Sequence, residues 1–153
     1  EVQNVWENQP NVTLHFTKLK LLKELSHDAW VNFIETLFTN KEKYDCLFVP
    51  TKEDSHFEHK IVNELAFPLT RIKGISILEY RTPSTLDLWS PNTFTNITEF
   101  FDEKQRQLML FESQKDRWYF QEDLLKSFHS NFQSYKKGIK YVEQFKTIQL
   151  YKL

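Results

Sequence analysis

Glycine is nearly missing from this 153-residue chain, with two residues in all, and no G-x-G-x-x-G or G-x-x-x-x-G-K run occurs. That excludes the glycine-rich loops that wrap nucleotide phosphates. There is one cysteine, Cys46, so no internal disulfide can form, and its place in an apolar run reads as a core thiol. Charge of one sign is also lacking. The formal net charge is −1, which gives no reason to expect nucleic acid as a partner. No apolar run is long enough to span a bilayer and no signal peptide is visible, so the expectation is a cytoplasmic chain without a membrane span. The chain begins at Glu1 and its only methionine is Met109, so the expectation is a trimmed or processed polypeptide or a fragment.

What is present is a core. The chain is 40% hydrophobic and 16% aromatic, with fourteen phenylalanines, and its length suits a single domain. Val12–Phe16 alternates like a strand, and Lys18–Leu25 reads as a basic, apolar helical turn. Ser26 is a good N-cap. Behind it Trp30, Phe33, Ile34, Leu37 and Phe38 recur at i, i+3, i+4, i+7, i+8, an amphipathic helix. Cys46–Val49 is a short apolar strand closed by Pro50. A polar loop, Thr51–Ser55, leads to a second helix with Phe57, Ile61, Val62, Leu65 and Ala66 on one face. Ile75–Tyr80 is the next strand, and Arg81–Pro91, rich in Pro, Ser and Thr, is a loop. Thr93–Ile97 is a short strand followed by Thr98 as an N-cap. Helices are expected over Phe100–Gln114 and Gln121–Tyr135, and a strand over Tyr141–Tyr151. Glu1–Asn11 reads as loop. Alternating helices and strands predict an α/β fold with a largely parallel sheet.

Ligands in open α/β sheets collect at the carboxyl ends of strands. The loop after Cys46–Pro50 lies at such an end and carries Asp54, His56, Glu58 and His59. The two histidines are three apart at a helix start and can share a face. Neutral imidazole is a common zinc ligand, and a carboxylate on its other nitrogen fixes the tautomer. Two surface histidines beside acids are also an ordinary solvated pattern. His15 and His27 lack clustered acids, and His129 lies on a helix otherwise used for packing, so all three read as structural. Trp89, within the Pro/Ser/Thr loop, suits either a stacking platform for a sugar ring or a plug.

The segment Val49–His59, VPTKEDSHFEH, resembles the P-x-x-x-D-x-H-x-D-H motif of the PIG-L (LmbE-like) zinc-dependent de-N-acetylases. The likeness continues in order through Leu78–Tyr80, Thr82–Thr85, Pro91–Ile97, Lys104 to Ser113–Gln114, Tyr119–Phe120 and Tyr141–Phe145. It implies a Rossmann-like three-layer fold and removal of acetyl groups from N-acetylated amino sugars or related conjugates. By motif position, His59 would be the zinc ligand and His56 the acid or electrophilic histidine. Glu58, where the family has Asp, would orient His56, and Asp54 would brace the loop. The family's opening strand, ending A-H-P-D-D-E, has no counterpart here. The resemblance therefore implies a fold missing its N-terminal strands, and zinc held weakly or not at all by these residues alone. The expected partner is a small N-acetylated sugar, with self-association left open. The alternative is a degenerate relative serving as a non-catalytic carbohydrate-binding or structural module. A nucleotide-binding Rossmann domain is disfavoured by the missing glycines.

Overall fold

A computed structural model of the chain describes residues 2–6, 9–14, 26–39, 44–71, 74–131 and 138–151. The chain divides into two compact units, Thr17–Thr93 with Gln144–Leu153 and Glu1–Phe16 with Phe94–Glu143. Helices are α1 Val2–Trp6, α2 His27–Thr39, α3 Phe57–Ala66, α4 Phe101–Leu108 and α5 Glu122–His129. Strands are β1 Cys46–Pro50, β2 Ser76–Tyr80, β3 Thr93–Asn96 and β4 Val142–Gln149. The four strands are ordered β1-β2-β4-β3 among the described residues. The fold class is α/β, with a mixed sheet. β1 and β2 run parallel, Cys46 opposite Ser76 through Pro50 opposite Tyr80. β4 meets β2 antiparallel, with Glu79 opposite Lys146 and Tyr80 opposite Phe145.

In the unit containing the β1–β2 pair, the helix starts follow the chemistry of the sequence. Ser26 accepts the Ala29 N–H at 3.2 Å, which satisfies an orphan donor of α2. β1 and β2 send alternate residues toward α3. Val49, Ala66, Leu69, Ile75 and Ile77 form the core there, with Leu47 against it. Each of the Val, Leu and Ile side chains, once buried, contributes about 1.5–3 kcal/mol. The other face of β1 carries Phe48, which remains 54% exposed beside the Phe145 ring, 5.2 Å between centroids. Pro50 ends β1, and its carbonyl accepts the Asn63 amide of α3 at 2.8 Å. Gly74 takes φ +95 just before β2, a left-handed conformation that favours glycine.

The second unit packs Phe101, Leu125 and Tyr141 together, with Ile97 and Leu108 against them. The Phe101 and Tyr141 rings stack with centroids 3.8 Å apart. His129 is buried in the same region, its Nδ1 3.2 Å from the Val142 carbonyl oxygen and 3.7 Å from Glu143, which also pairs with Lys104.

Several boundaries differ from the sequence reading. Val2–Trp6 is helical where a loop is expected, because Val2, Val5 and Trp6 are at helical spacing and Val5 is buried. Thr98 does not cap α4. Its hydroxyl accepts the Lys140 and Tyr141 N–H groups, and Asn96 Oδ1 accepts the Thr98 N–H instead. The helix expected to Gln114 ends at Leu108 and continues as three-residue turns, Phe111 N–H to Leu108 O and Gln114 N–H to Phe111 O. Val12–Leu14 forms no strand. Lys18–Leu25 and Asn40–Lys43 lie outside the described residues, as does the expected helix beyond Asn131.

Candidate functional site

The site forms where β1 hands over to α3. Beyond Pro50 the Thr51 N–H still bonds the Tyr80 carbonyl at 3.0 Å, so the loop leaves the sheet from a fixed point. Leu86 N–H to Glu53 O and Ser55 N–H to Ser84 O, both 2.9 Å, then tie this loop to the one after β2. An isolated antiparallel bridge between Asp54 and Thr85 lies within the same pairing.

Asp54 is the centre of that junction and is fully buried. Its Oδ1 accepts the His56 N–H at 2.7 Å and the Ser84 hydroxyl at 2.6 Å. Its Oδ2 accepts the Thr82 hydroxyl at 2.6 Å, with the Thr85 hydroxyl at 3.3 Å. Burial by itself pushes this carboxyl's pKa up. Hydrogen bonds from Ser84, Thr82 and the His56 amide, with the His59 ring beside them, outweigh it and hold the pKa well below the usual carboxylate range. Burial and the Asp54 charge together push the nearby Tyr80 phenol up.

His59 Nδ1 lies 3.1 Å from Asp54 Oδ2, and the ring is about one-third exposed. The approach is at ion-pair distance but is not aligned as a full hydrogen bond. The His56 and His59 rings stack, centroids 4.7 Å apart and planes 29° from parallel. The helix start supplies both positions, His56 as the residue before α3 and His59 in its first turn. The sequence-predicted residues Asp54, His56 and His59 are therefore brought together. Glu58 is not joined to them. Among the described residues no hydrogen bond or ion pair links it to His56, because residues two apart at a helix start face different ways. The expectation that Glu58 orients His56 is corrected: the His56 backbone is held by Asp54, and its ring lies against His59.

A second polar cluster lies behind the loop. Lys146 Nζ sits 3.2 Å from both Glu53 carboxylate oxygens. Thr51 Oγ1 bridges Glu53 Oε2 at 3.0 Å and the buried Glu79 Oε2 at 3.2 Å, and Asn63 donates to Glu79 Oε1 at 2.9 Å. This cluster braces β4, β2 and α3 around the base of the site. Thr82, Ser84, Thr51, Asn63 and Lys146 escape a reading from sequence spacing, since the partners that matter lie 13 to 93 positions away, apart from the local Thr51–Glu53 contact. Only the order of Thr82–Thr85 in the resemblance hinted at part of it.

Trp89 is 8% exposed, and the Arg81 guanidinium carbon lies 5.8 Å from its ring centroid. A covered ring is a plug in this arrangement, not an open stacking platform. Cys46 is half-buried, and burial pushes its thiol pKa up, which makes it a poor nucleophile. His27 is exposed at the start of α2, far in sequence from the pair, and His129 is buried in the other unit.

A catalytic zinc takes about three protein ligands and keeps one open position. Among the described residues no group of three or more His, Cys, Asp and Glu side chains could hold a metal. The Asp54 oxygens are already committed to donors, which leaves the two imidazoles. The set present does not fit a complete zinc centre. Also among the described residues, no helix is long and apolar enough to cross a membrane.

No family model and no curated protein matches the chain. Among solved structures it is similar to the conserved protein TT1542 from Thermus thermophilus, at a TM-score of 0.61 and 17% identity. The match covers 82% of this chain and 61% of that one, so the chain spans less than two-thirds of its length. At this identity the likeness establishes a shared fold.

Proposed function

We propose that the chain carries the histidine pair of a de-N-acetylase site that hydrolyses the N-acetyl group of a small amino sugar or sugar conjugate. The observation that carries this reading is the stacked His56–His59 pair set over a buried, ionised Asp54 at the carboxyl end of a parallel strand. Asp54 holds the Nδ1 side of His59 and leaves its Nε2 available. His56 is exposed and beside it, where a protonated ring can donate to an oxygen that gains charge during amide cleavage. Water adds to the amide carbonyl, the C–N bond breaks, and the leaving amine takes a proton. In a site that held zinc, His59 would be one ligand, and the metal would supply carbonyl polarisation and an activated water. A cytoplasmic setting belongs to the same reading.

The test uses two single variants of the full-length protein. His59→Ala is expected to lose zinc, measured by metal analysis after dialysis. His56→Ala is expected to keep zinc and lose about 100 to 1000-fold in acetate release from N-acetylated sugars. Unchanged turnover in either variant refutes the assignment. A second reading, a non-catalytic carbohydrate-binding module, draws on the separation of Glu58 from His56. Sugar binding without acetate release, unaffected by His56→Ala, is the result that favours it.

A further inference from the structure

We propose that Thr82 and Ser84 are positioning residues of this site: their hydroxyls clamp Asp54 so that it keeps the His59 ring proton on Nδ1 and leaves Nε2 bare. The proposal rests on the reading of His59 as a working group, but the clamp itself stands on geometry.

An ionised carboxylate offers about four lone-pair directions. In Asp54 three are taken by short bonds, from the His56 N–H at 2.7 Å and from the Ser84 and Thr82 hydroxyls at 2.6 Å each, and the Thr85 hydroxyl makes a longer contact to Oδ2 at 3.3 Å. Hydroxyl-to-carboxylate contacts of about 2.5–2.7 Å are the charge-assisted kind. Thr82 Oγ1 and Ser84 Oγ also lie 2.9 Å from each other. Each hydroxyl has one proton, and the short contacts assign both protons to Asp54, so the two oxygens merely abut. Ser84 N–H and Thr82 Oγ1, 3.3 Å apart, and Thr82 N–H and Thr85 Oγ1, 2.8 Å apart, fix the hydroxyl-bearing turn. The carboxylate therefore cannot rotate without losing two strong donors.

The same Oδ2 also faces His59. Its Nδ1 is a buried atom 3.1 Å from Oδ2. A bare ring nitrogen at that distance would set lone pair against anion, which is repulsive. An N–H there is attracted even when it is off the line of centres. The charge of Asp54, held in place by two hydroxyls 28 and 30 positions away, selects the Nδ1–H tautomer. A carboxylate set against the far nitrogen of an imidazole is the arrangement that orients ligating histidines. The loop that carries Thr82 and Ser84 continues into Leu86 and the buried Trp89, so a change in that loop reaches His59 through Asp54.

The experiment is a long-range 15N–1H correlation of the histidine rings at about pH 8, above the ordinary histidine range. His59 is assigned from the spectrum of His59→Gln. The wild-type chain is expected to show Nδ1 protonated and Nε2 bare at His59. Thr82→Val and Ser84→Ala, singly and together, are expected to shift the His59 population toward the Nε2–H form, and Thr82→Ser is expected to restore it. A wild-type His59 in the Nε2–H form overturns the proposal whether or not the variants fold. So does a folded Thr82→Val/Ser84→Ala protein whose His59 signals do not move. Acetate release from N-acetylated sugars separates the two claims. If the tautomer follows the hydroxyls while His56→Ala leaves acetate release unchanged, the clamp stands and the deacetylase reading fails. If His56→Ala loses acetate release while the His59 tautomer shows no dependence on Thr82 or Ser84, the reading survives and the clamp fails.

Discussion

At the scale of single residues the molecule turns on one buried charge. Asp54 is stable in place only because its donors outweigh the cost of removing it from water. Its folded pKa is depressed, so its contribution to stability is fully present above the unfolded value of about 3.9 and is lost as pH falls below that, toward the folded value. Asp54→Asn keeps the shape but puts an N–H₂ group against donors, and it is expected to cost about 3–5 kcal/mol near neutrality. Urea unfolding of both proteins at pH 6 and at successively lower pH checks the sign: the gap between them should narrow as the medium becomes acid. A gap independent of pH would show that the loss is one of packing alone. The sequence made part of this legible. The order Asp54, His56, His59 was visible as a cluster at a strand end, since local spacing controls it. Glu58, the orienting acid that the resemblance implies, makes no bond to His56 among the described residues, because residues two apart at a helix start face different ways. Thr82 and Ser84 left no local signal, as ordinary hydroxyl residues in a loop 28 and 30 positions away.

At the scale of elements, what periodicity encodes was readable and what partners encode was not. The spacing of Phe57, Ile61, Leu65 and Ala66 announces α3, and the apolar runs announce β1 and β2. The polar brace beneath them was invisible, because Asn63 reads in sequence as one polar position on an amphipathic helix. In the fold it is buried, and its amide bridges the Pro50 carbonyl and Glu79. Asn63→Leu leaves both acceptors buried and unpaired, and the expected loss is about 2–4 kcal/mol. Ile77→Ala, on the same strand as Glu79, removes core volume only and is expected to cost about 2–5 kcal/mol. The two are told apart by histidine ring signals at matched stability. Asn63→Leu should disturb His56 and His59, since the brace ends at the loop that carries them, while Ile77→Ala should not. Equal disturbance would mean that the site responds to general loosening and not to the brace.

At the scale of the whole chain, the unit that holds the site is discontinuous. It is made from Thr17–Thr93 and from Gln144–Leu153, with Phe94–Glu143 between them in sequence. No pattern within either piece announces this, because strand pairing depends on hydrogen bonds that carry no residue code. β4 closes one side of β2 through the pairs from Ile77 opposite Gln149 to Tyr80 opposite Phe145. Its side chains add to the closure. Gln149 donates to the Ile75 carbonyl at 2.9 Å, the Tyr151 N–H donates to Ser76 Oγ at 3.1 Å, and Lys146 pairs with Glu53 beside Asp54. A chain stopped after Glu143 therefore bares the β2 edge, leaves Glu53 without its cation, and opens a template for intermolecular pairing. The expected outcome is fast amide exchange at Ile77 and Glu79, whose N–H groups face β4, loss of the His56–His59 ring contact in nuclear Overhauser spectra, and concentration-dependent aggregation. A synthetic peptide of residues 142–151 added in trans should restore slow exchange and the ring contact together. The same peptide carrying Lys146→Met should restore the exchange but not the ring contact, because the strand register survives while the ion pair to the site loop does not. If the truncated chain keeps both signals unaided, the C-terminal strand is dispensable to the site, and the His56–His59 geometry is fixed by the β1–α3 junction alone.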